Sequence, residues 1–179
     1  IEDVSPHNSK LILAFLSDME LGINISKASS KGQRSVARLI SLKDRMIFFT
    51  KNFKNKKLDA LTKEDAHKLF ADMRDGKIRR RDGAVYKATG EYVKDFKCLM
   101  GWLKRTGRIK EDVSEDLARR DDYKPSWVYL SEEQFKKLAS QSDSDYRALI
   151  WFLYDSGLRT QEAYSIKVND FDKDFTKLQ

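Results

Sequence analysis

The sequence predicts a mainly α-helical protein. A four-helix domain is expected over residues 1–118, a linker over 119–129, and the opening helices of a second, incomplete domain over 130–179. Three observations carry this reading. Apolar residues recur at three- and four-residue intervals through most of the chain. Capping residues stand before these runs and glycines follow several of them. No two alternating apolar runs flank a turn, so no strand pair is expected.

Pro6 to Leu21 carries Leu11, Ile12, Phe15, Leu16 and Met19 at helical spacing, and Gly22-Ile23-Asn24 ends it. Ile25 to Gly32 reads as a small polar loop. The second helix is expected from about Gln33 to Phe53, with Val36, Leu39, Ile40, Met46, Ile47, Phe49 and Phe53 as its inner stripe. Lys31, Arg34, Arg38 and Arg45 lie largely off that stripe. Thr62 with Asp65 resembles a capping box, so the third helix should run from about Thr62 to Arg74, burying Ala66, Leu69, Phe70 and Met73.

Asp75 to Lys87 is a polar loop around Lys77-Ile78-Arg79-Arg80-Arg81, too polar to fold alone and suited either to a solvated hairpin or to gripping phosphate. The fourth helix, about Thr89 to Arg105, has the clearest pattern. Tyr92, Phe96, Leu99 and Leu103 form one stripe with Val93, Met100 and Trp102 beside it, and that stripe reads as core rather than as a platform for bases. After Pro125, Ser131 and Gln134 form a second capping box, opening a helix that holds Phe135 and Leu138. A further helix leads through Ile150–Tyr154 to Arg159. Val168 to Gln179 looks like an approach to a strand that the chain does not complete.

Composition narrows the function. Apolar residues make up 40% of the 179 and charged residues 35%, enough for a core under a heavily charged surface. No run approaches the ~20 apolar residues of a membrane helix. Ile1 is followed by Glu2 and Asp3, the wrong polarity for a signal peptide, and the absence of a start methionine suggests a processed or trimmed piece. Cys98 is the one cysteine, so no internal disulfide can form and the reducing cytoplasm is the expected location; its place in an apolar helical pattern makes it a packing residue. His7 and His67 lack partners at ligand spacing, and no metal site or cofactor is expected.

The net charge of +7 is unevenly spread. Residues 22–110 hold 24 lysines and arginines against nine acids, a net of +15, while residues 1–21 carry −3 and residues 111–179 carry −5. A basic middle between acidic ends is the electrostatic footprint of a nucleic-acid surface. Candidate DNA contacts are Lys31, Arg34, Arg38, Lys77, Arg79, Arg80, Arg81 and Lys87.

Ile150 to Asp172 reads IWFLYDSGLRTQEAYSIKVNDFD. Its apolar run breaks at Asp155-Ser156-Gly157, where Gly157 suits the left-handed end of a helix. The chain restarts near Thr160, a plausible N-cap, which leaves Arg159 on a tight corner with Glu162 in the next first turn. A planar guanidinium held this way suits a phosphate, because it donates paired hydrogen bonds and stays charged.

This stretch resembles the first catalytic box of the tyrosine recombinases, the phage-integrase family. The matching residues are Ser156-Gly157-Leu158-Arg159, Glu162, Ile166 and Asp170-Phe171-Asp172, with Ser156 in place of the usual threonine and Ala163 and Ser165 smaller or more polar than the usual leucines. The first half is similar to that family's SAM-like core-binding domain, whose last helix begins near a threonine and ends in an aromatic-rich pattern; here Thr89, Tyr92, Phe96 and Leu99-Met100-Gly101-Trp102-Leu103 stand in those places. The resemblance spans nearly the whole chain.

It implies DNA strand exchange without metal or nucleotide. A tyrosine attacks a phosphodiester, forming a 3′-phosphotyrosyl link and releasing a 5′-hydroxyl, while arginines stabilise the phosphate oxygens. Arg159 takes the place of the first catalytic arginine and Glu162 that of its supporting acid. Double-stranded DNA is the implied partner, with self-association on DNA in the full-length protein. The sequence contains no His-x-x-Arg box. The remaining catalytic groups, including the nucleophilic tyrosine, are therefore expected beyond Gln179, and this piece alone should be inactive. Two other readings stay open: a non-catalytic helical DNA-binding protein or regulator, and a helical adaptor that binds no nucleic acid.

Overall fold

The computed structural model describes residues 4–26, 32–118 and 128–171. The chain divides into two compact units, Ile1–Lys124 and Pro125–Gln179. Among the described residues there are seven α-helices and no strand beyond one isolated bridge, so the fold is mainly α. Most of the expected linker (119–127) and the end of the chain (172–179) lie outside the described residues. Among the described residues no helix is long and apolar enough to cross a membrane.

Helix α1 (Pro6–Leu21) starts where Ser5 Oγ accepts the Asn8 N–H and Pro6 needs no partner for a missing N–H. It ends at Gly22 in the left-handed conformation, φ 72°, where a Cβ would stand 2.8 Å from the Gln33 nitrogen. Only glycine fits both the angle and that approach. Helix α2 (Val36–Asn52) begins three residues later than the sequence suggests, because Ser35 is its N-cap and accepts the Arg38 N–H.

The inward face of α2 shares most of the expected stripe: Met46 and Phe49 are buried and Leu39, Ile47 and Phe53 pack against the core. It adds Leu42 and Thr50, whereas Val36 is 71% exposed and Ile40 52%. Seven apolar candidates in one helix span more than a single face, and the packing partners chose the arc centred on Met46.

A 3₁₀ turn at Leu58–Ala60 leads into α3 (Lys63–Arg74), whose capping box is formed by Thr62 and Asp65. The Lys56 ammonium and the Thr62 N–H hold the Asp65 carboxyl below its ordinary pKa. Helix α4 (Thr89–Arg105) has the expected bounds and buries Val93, Phe96, Leu99, Met100, Trp102 and Leu103.

Phe96 is the centre of the first unit's core. Its ring lies 5.3 Å from Phe49, 5.5 Å from Phe70 and 6.0 Å from Phe53, so one α4 side chain meets both α2 and α3. Among the described residues no buried side-chain nitrogen or oxygen lacks a hydrogen-bond partner. Asn8 spends its amide on the α2–α3 connection, donating to the Lys56 carbonyl and accepting from the Leu58 N–H, both at 3.0 Å. Trp102 packs on Phe15 and donates its indole N–H to Asp18 at 2.8 Å, tying α4 to α1.

The second unit holds α5 (Glu132–Gln141), α6 (Ser144–Ser156), α7 (Thr160–Ser165) and a 3₁₀ turn at Val168–Asp170, where the approach to a strand was expected. Ser131 and Gln134 form the predicted capping box. Phe135 stacks on Tyr154 at 4.1 Å and meets Trp151 edge-on at 4.9 Å. Arg147 closes the α5–α6 turn, donating to the carbonyls of Ala139, Ser140 and Ser142. Among the unit's described residues only Phe135 and Ala139 are buried; the expected inner residue Leu138 is 48% exposed.

The shared position of Phe96 predicts that Phe96→Ala lowers the first unit's stability by about 3–5 kcal/mol. Leu13→Ala, on the exposed side of α1, should change it by less than about 0.5 kcal/mol. Urea denaturation followed by circular dichroism measures both; equal effects would show that Phe96 is not the core's centre.

Candidate nucleic-acid interface and the Arg159 corner

Arg159 stands where the helical backbone stops and restarts. Gly157 closes α6 with φ 65° and returns its N–H to the Leu153 carbonyl. The residue that caps α7 is Arg159 itself, with extended backbone angles, rather than the expected Thr160, which is the first helical residue. An arginine side chain cannot accept a hydrogen bond, so the cap is supplied from the other end. One Glu162 carboxylate oxygen accepts the Arg159 backbone N–H at 2.8 Å, and the other accepts from its guanidinium Nη1 at 2.9 Å.

One acid thus holds both the main chain and the side chain of the same arginine. The Arg159 side chain is still 86% exposed. A guanidinium carries five N–H donors, and a single bond to Glu162 leaves most of that fork facing solvent.

The basic loop between α3 and α4 is a closed hairpin. Arg79 and Val85 form an antiparallel bridge, the Arg80 N–H reaches the Ala84 carbonyl at 2.9 Å, and Gly83 makes the turn. Half-buried Ile78 and Tyr86 anchor its two arms to the core. Several of its cations already have partners. Arg79 donates to the Gly83 carbonyl at 3.1 Å and Arg80 pairs with Asp82 at 3.1 Å. Lys77 sits against Asp72 and Asp75, which raise its pKa above the ordinary lysine value. Arg81 is exposed at the tip.

A second basic surface follows the seam between α2 and α4. Arg34 and Arg38 line a cleft of about 560 Å³ with Ser35, Lys94 and Cys98. Arg38, a candidate DNA contact, already has a partner: both arms of its guanidinium reach Asp95, a carboxylate 1% exposed inside the α4 arc, while its side chain stays partly exposed. Arg45 reaches the same carboxylate at 3.5 Å while its guanidinium lies 3.3 Å over the Tyr92 ring. Burial lowers the Arg45 pKa from its ordinary value and Asp95 opposes that; an arginine remains charged regardless.

Sequence reasoning missed Asp95 and gave Arg45 no role. The available signal was an acid between Tyr92 and Phe96 on a buried face, opposite two arginines seven residues apart on one side of α2. Of the remaining candidates, Lys87 is exposed, Arg34 is half-buried, and Lys31 lies outside the described residues.

The other chemistry-bearing side chains are accounted for by packing and pairing. Cys98 is half-buried against the core, and desolvation pushes its thiol pKa up, away from reactivity. His7 pairs with Asp59 at 2.9 Å, and His67 is exposed. Among the described residues no cluster of His, Cys, Asp or Glu could hold a metal ion. Tyr86 and Tyr92 pack against each other and Phe48. No protein-family model, curated protein or solved structure gives a significant match to this chain.

Proposed function

We propose that this chain is the DNA-binding portion of a site-specific tyrosine recombinase, an enzyme that cuts and rejoins DNA through a 3′-phosphotyrosyl intermediate. The observation that carries the reading is the Gly157-to-Glu162 corner, where Glu162 fixes Arg159 from two directions and leaves its fork exposed. A donor positioned before the substrate arrives stabilises charge on a phosphate oxygen without reorganising. In this reading the first unit supplies the core-binding domain and grips the duplex through the hairpin and the starts of α2 and α4. The second unit supplies the first catalytic arginine. Double-stranded DNA is the partner, and copies of the full-length protein associate on it.

The second reading is a non-catalytic DNA-binding protein or regulator. It is favoured by one observation: the basic hairpin and the α2–α4 seam both lie within the first unit, whereas Arg159 belongs to the second. The two readings share DNA binding and differ in the role of Arg159.

For the shared part, the chain should bind duplex DNA with strong salt dependence. Neutralising roughly six to eight phosphates gives a slope of log K on log salt of about −5 to −7. Replacing Arg79, Arg80 and Arg81 together by Ala should weaken binding to all sequences. The melting temperature should barely move, since exposed charges contribute little to folding. Fluorescence anisotropy across a salt series and thermal melts measure both effects; a flat salt response would sink the DNA reading.

For the recombinase itself, Arg159→Lys in the full-length protein should leave DNA binding intact and slow cleavage by ~10²–10³, the usual effect of losing one preorganised donor. Lysine keeps the charge and loses the planar fork. Cleavage of a nicked attachment-site substrate is the measurement. A wild-type rate in the lysine variant would favour the regulator.

A further inference from the structure

We propose that Asp95 is a positioning residue for DNA binding, one that presets Arg38 and Arg45 as two fixed guanidinium groups along the α2–α4 seam to receive backbone phosphates. The inference rests on the DNA-binding reading above and goes further by assigning a role to an acid inside the basic face.

Asp95 is the one acidic side chain among the buried residues described, at 1% exposure. It stands between two arginines that are themselves partly open, with side chains 33% exposed for Arg38 and 24% for Arg45. The two open onto different clefts. Arg38 lines the one with Arg34 and Lys94, of about 560 Å³; Arg45 lines its neighbour with Ile40, Phe48 and Tyr92, of about 400 Å³. Arg45 is held from both sides, by the carboxylate and by the Tyr92 ring.

A buried ion pair is a weak device for stability, since apolar residues of similar volume often do as well or better. What such a carboxylate does well is fix direction. An unheld arginine loses rotamer freedom when it closes on a phosphate, and an arginine already held loses less. Arg34, Arg38, Arg45 and Lys94 around the two clefts also outnumber Asp95, Asp44 and Glu91, so the seam stays positive. Their exposed edges retain donors for an incoming phosphate, because a guanidinium has five and Asp95 takes only some of them.

The proposal makes a prediction opposite in sign to simple electrostatics. Asp95→Asn removes a negative charge from a DNA-binding face, and charge alone would tighten binding. If Asp95 positions the arginines, the variant instead binds duplex DNA about tenfold more weakly, the scale of one lost charge-assisted hydrogen bond. Its salt slope becomes shallower by about one, since a displaced arginine no longer releases a counterion. Anisotropy with the 179-residue chain and a duplex of fixed length measures both, at a temperature below the variant's melting point.

Should the asparagine variant melt below the assay temperature, Asp95→Glu takes its place. It keeps the net charge and lengthens the arm by one methylene, which shifts both guanidinium groups, and it should also bind more weakly with a shallower slope. Affinity equal to or above wild type, or an unchanged slope, overturns the inference while leaving the DNA reading standing. A wild-type chain that fails to bind DNA overturns both.

Discussion

Phe96 meets rings from α2 and α3 at distances between 5.3 and 6.0 Å, and the first unit is arranged around that contact. Edge-on aromatic packing fixes orientation as well as separation, because the ring quadrupoles favour offset and T-shaped geometries over face-to-face ones. With Phe96 set, Asp95 beside it is buried facing α2, and Tyr92 one turn earlier lies under Arg45. The polar seam is thus a consequence of the apolar one. Phe15 and Trp102 do the same at the other end of α4, where the indole N–H needs an acceptor and finds Asp18.

A recurring device runs through the basic chemistry. Asp95 holds Arg38, Asp82 holds Arg80 and Glu162 holds Arg159, each leaving part of the guanidinium open to solvent. The three differ in strength. The Asp82 and Glu162 pairs are exposed, and exposed pairs contribute little to folding. The Asp95 pair has a buried carboxylate, so removing its arginine partners would leave that carboxylate poorly solvated, whereas the arginines keep an open edge. At Arg159 the geometry is stiffened in another way, because the same carboxylate also binds the backbone N–H and forms part of the α7 start.

The second unit has a thinner core. Phe135, Trp151 and Tyr154 make one aromatic cluster between α5 and α6, yet Trp151 is 37% exposed and Tyr154 57%. Local hydrogen bonds therefore carry much of its definition: the Ser131–Gln134 box, the three Arg147 bonds across the α5–α6 turn, and the Glu162 clamp. Such contacts act over a few residues and position a corner without a large buried area.

Much of the helical scaffold was legible in the chain itself, since helix starts and stops are local chemistry. Pro6 to Leu21 and Thr89 to Arg105 have the bounds their periodicity and capping residues suggested, and Gly157 adopts the left-handed angle its place required. Capping at Thr62 and Ser131 needs only a side chain three residues from its partner. The centre of the inward face of α2, Met46 and Phe49, was legible, but its edge was not, because Val36 and Ile40 are as apolar as Leu42 and only the packing partners distinguish them. Composition likewise marked residues 22–110 as basic but could not say which cations already had partners. Arg38 and Asp95 are 57 residues apart, and their pairing exists only once Phe96 has brought α4 against α2. Sequence determines what the chain can do over one turn of helix; tertiary packing decided which charges stay open, because ion pairing depends on distances that a linear order does not contain.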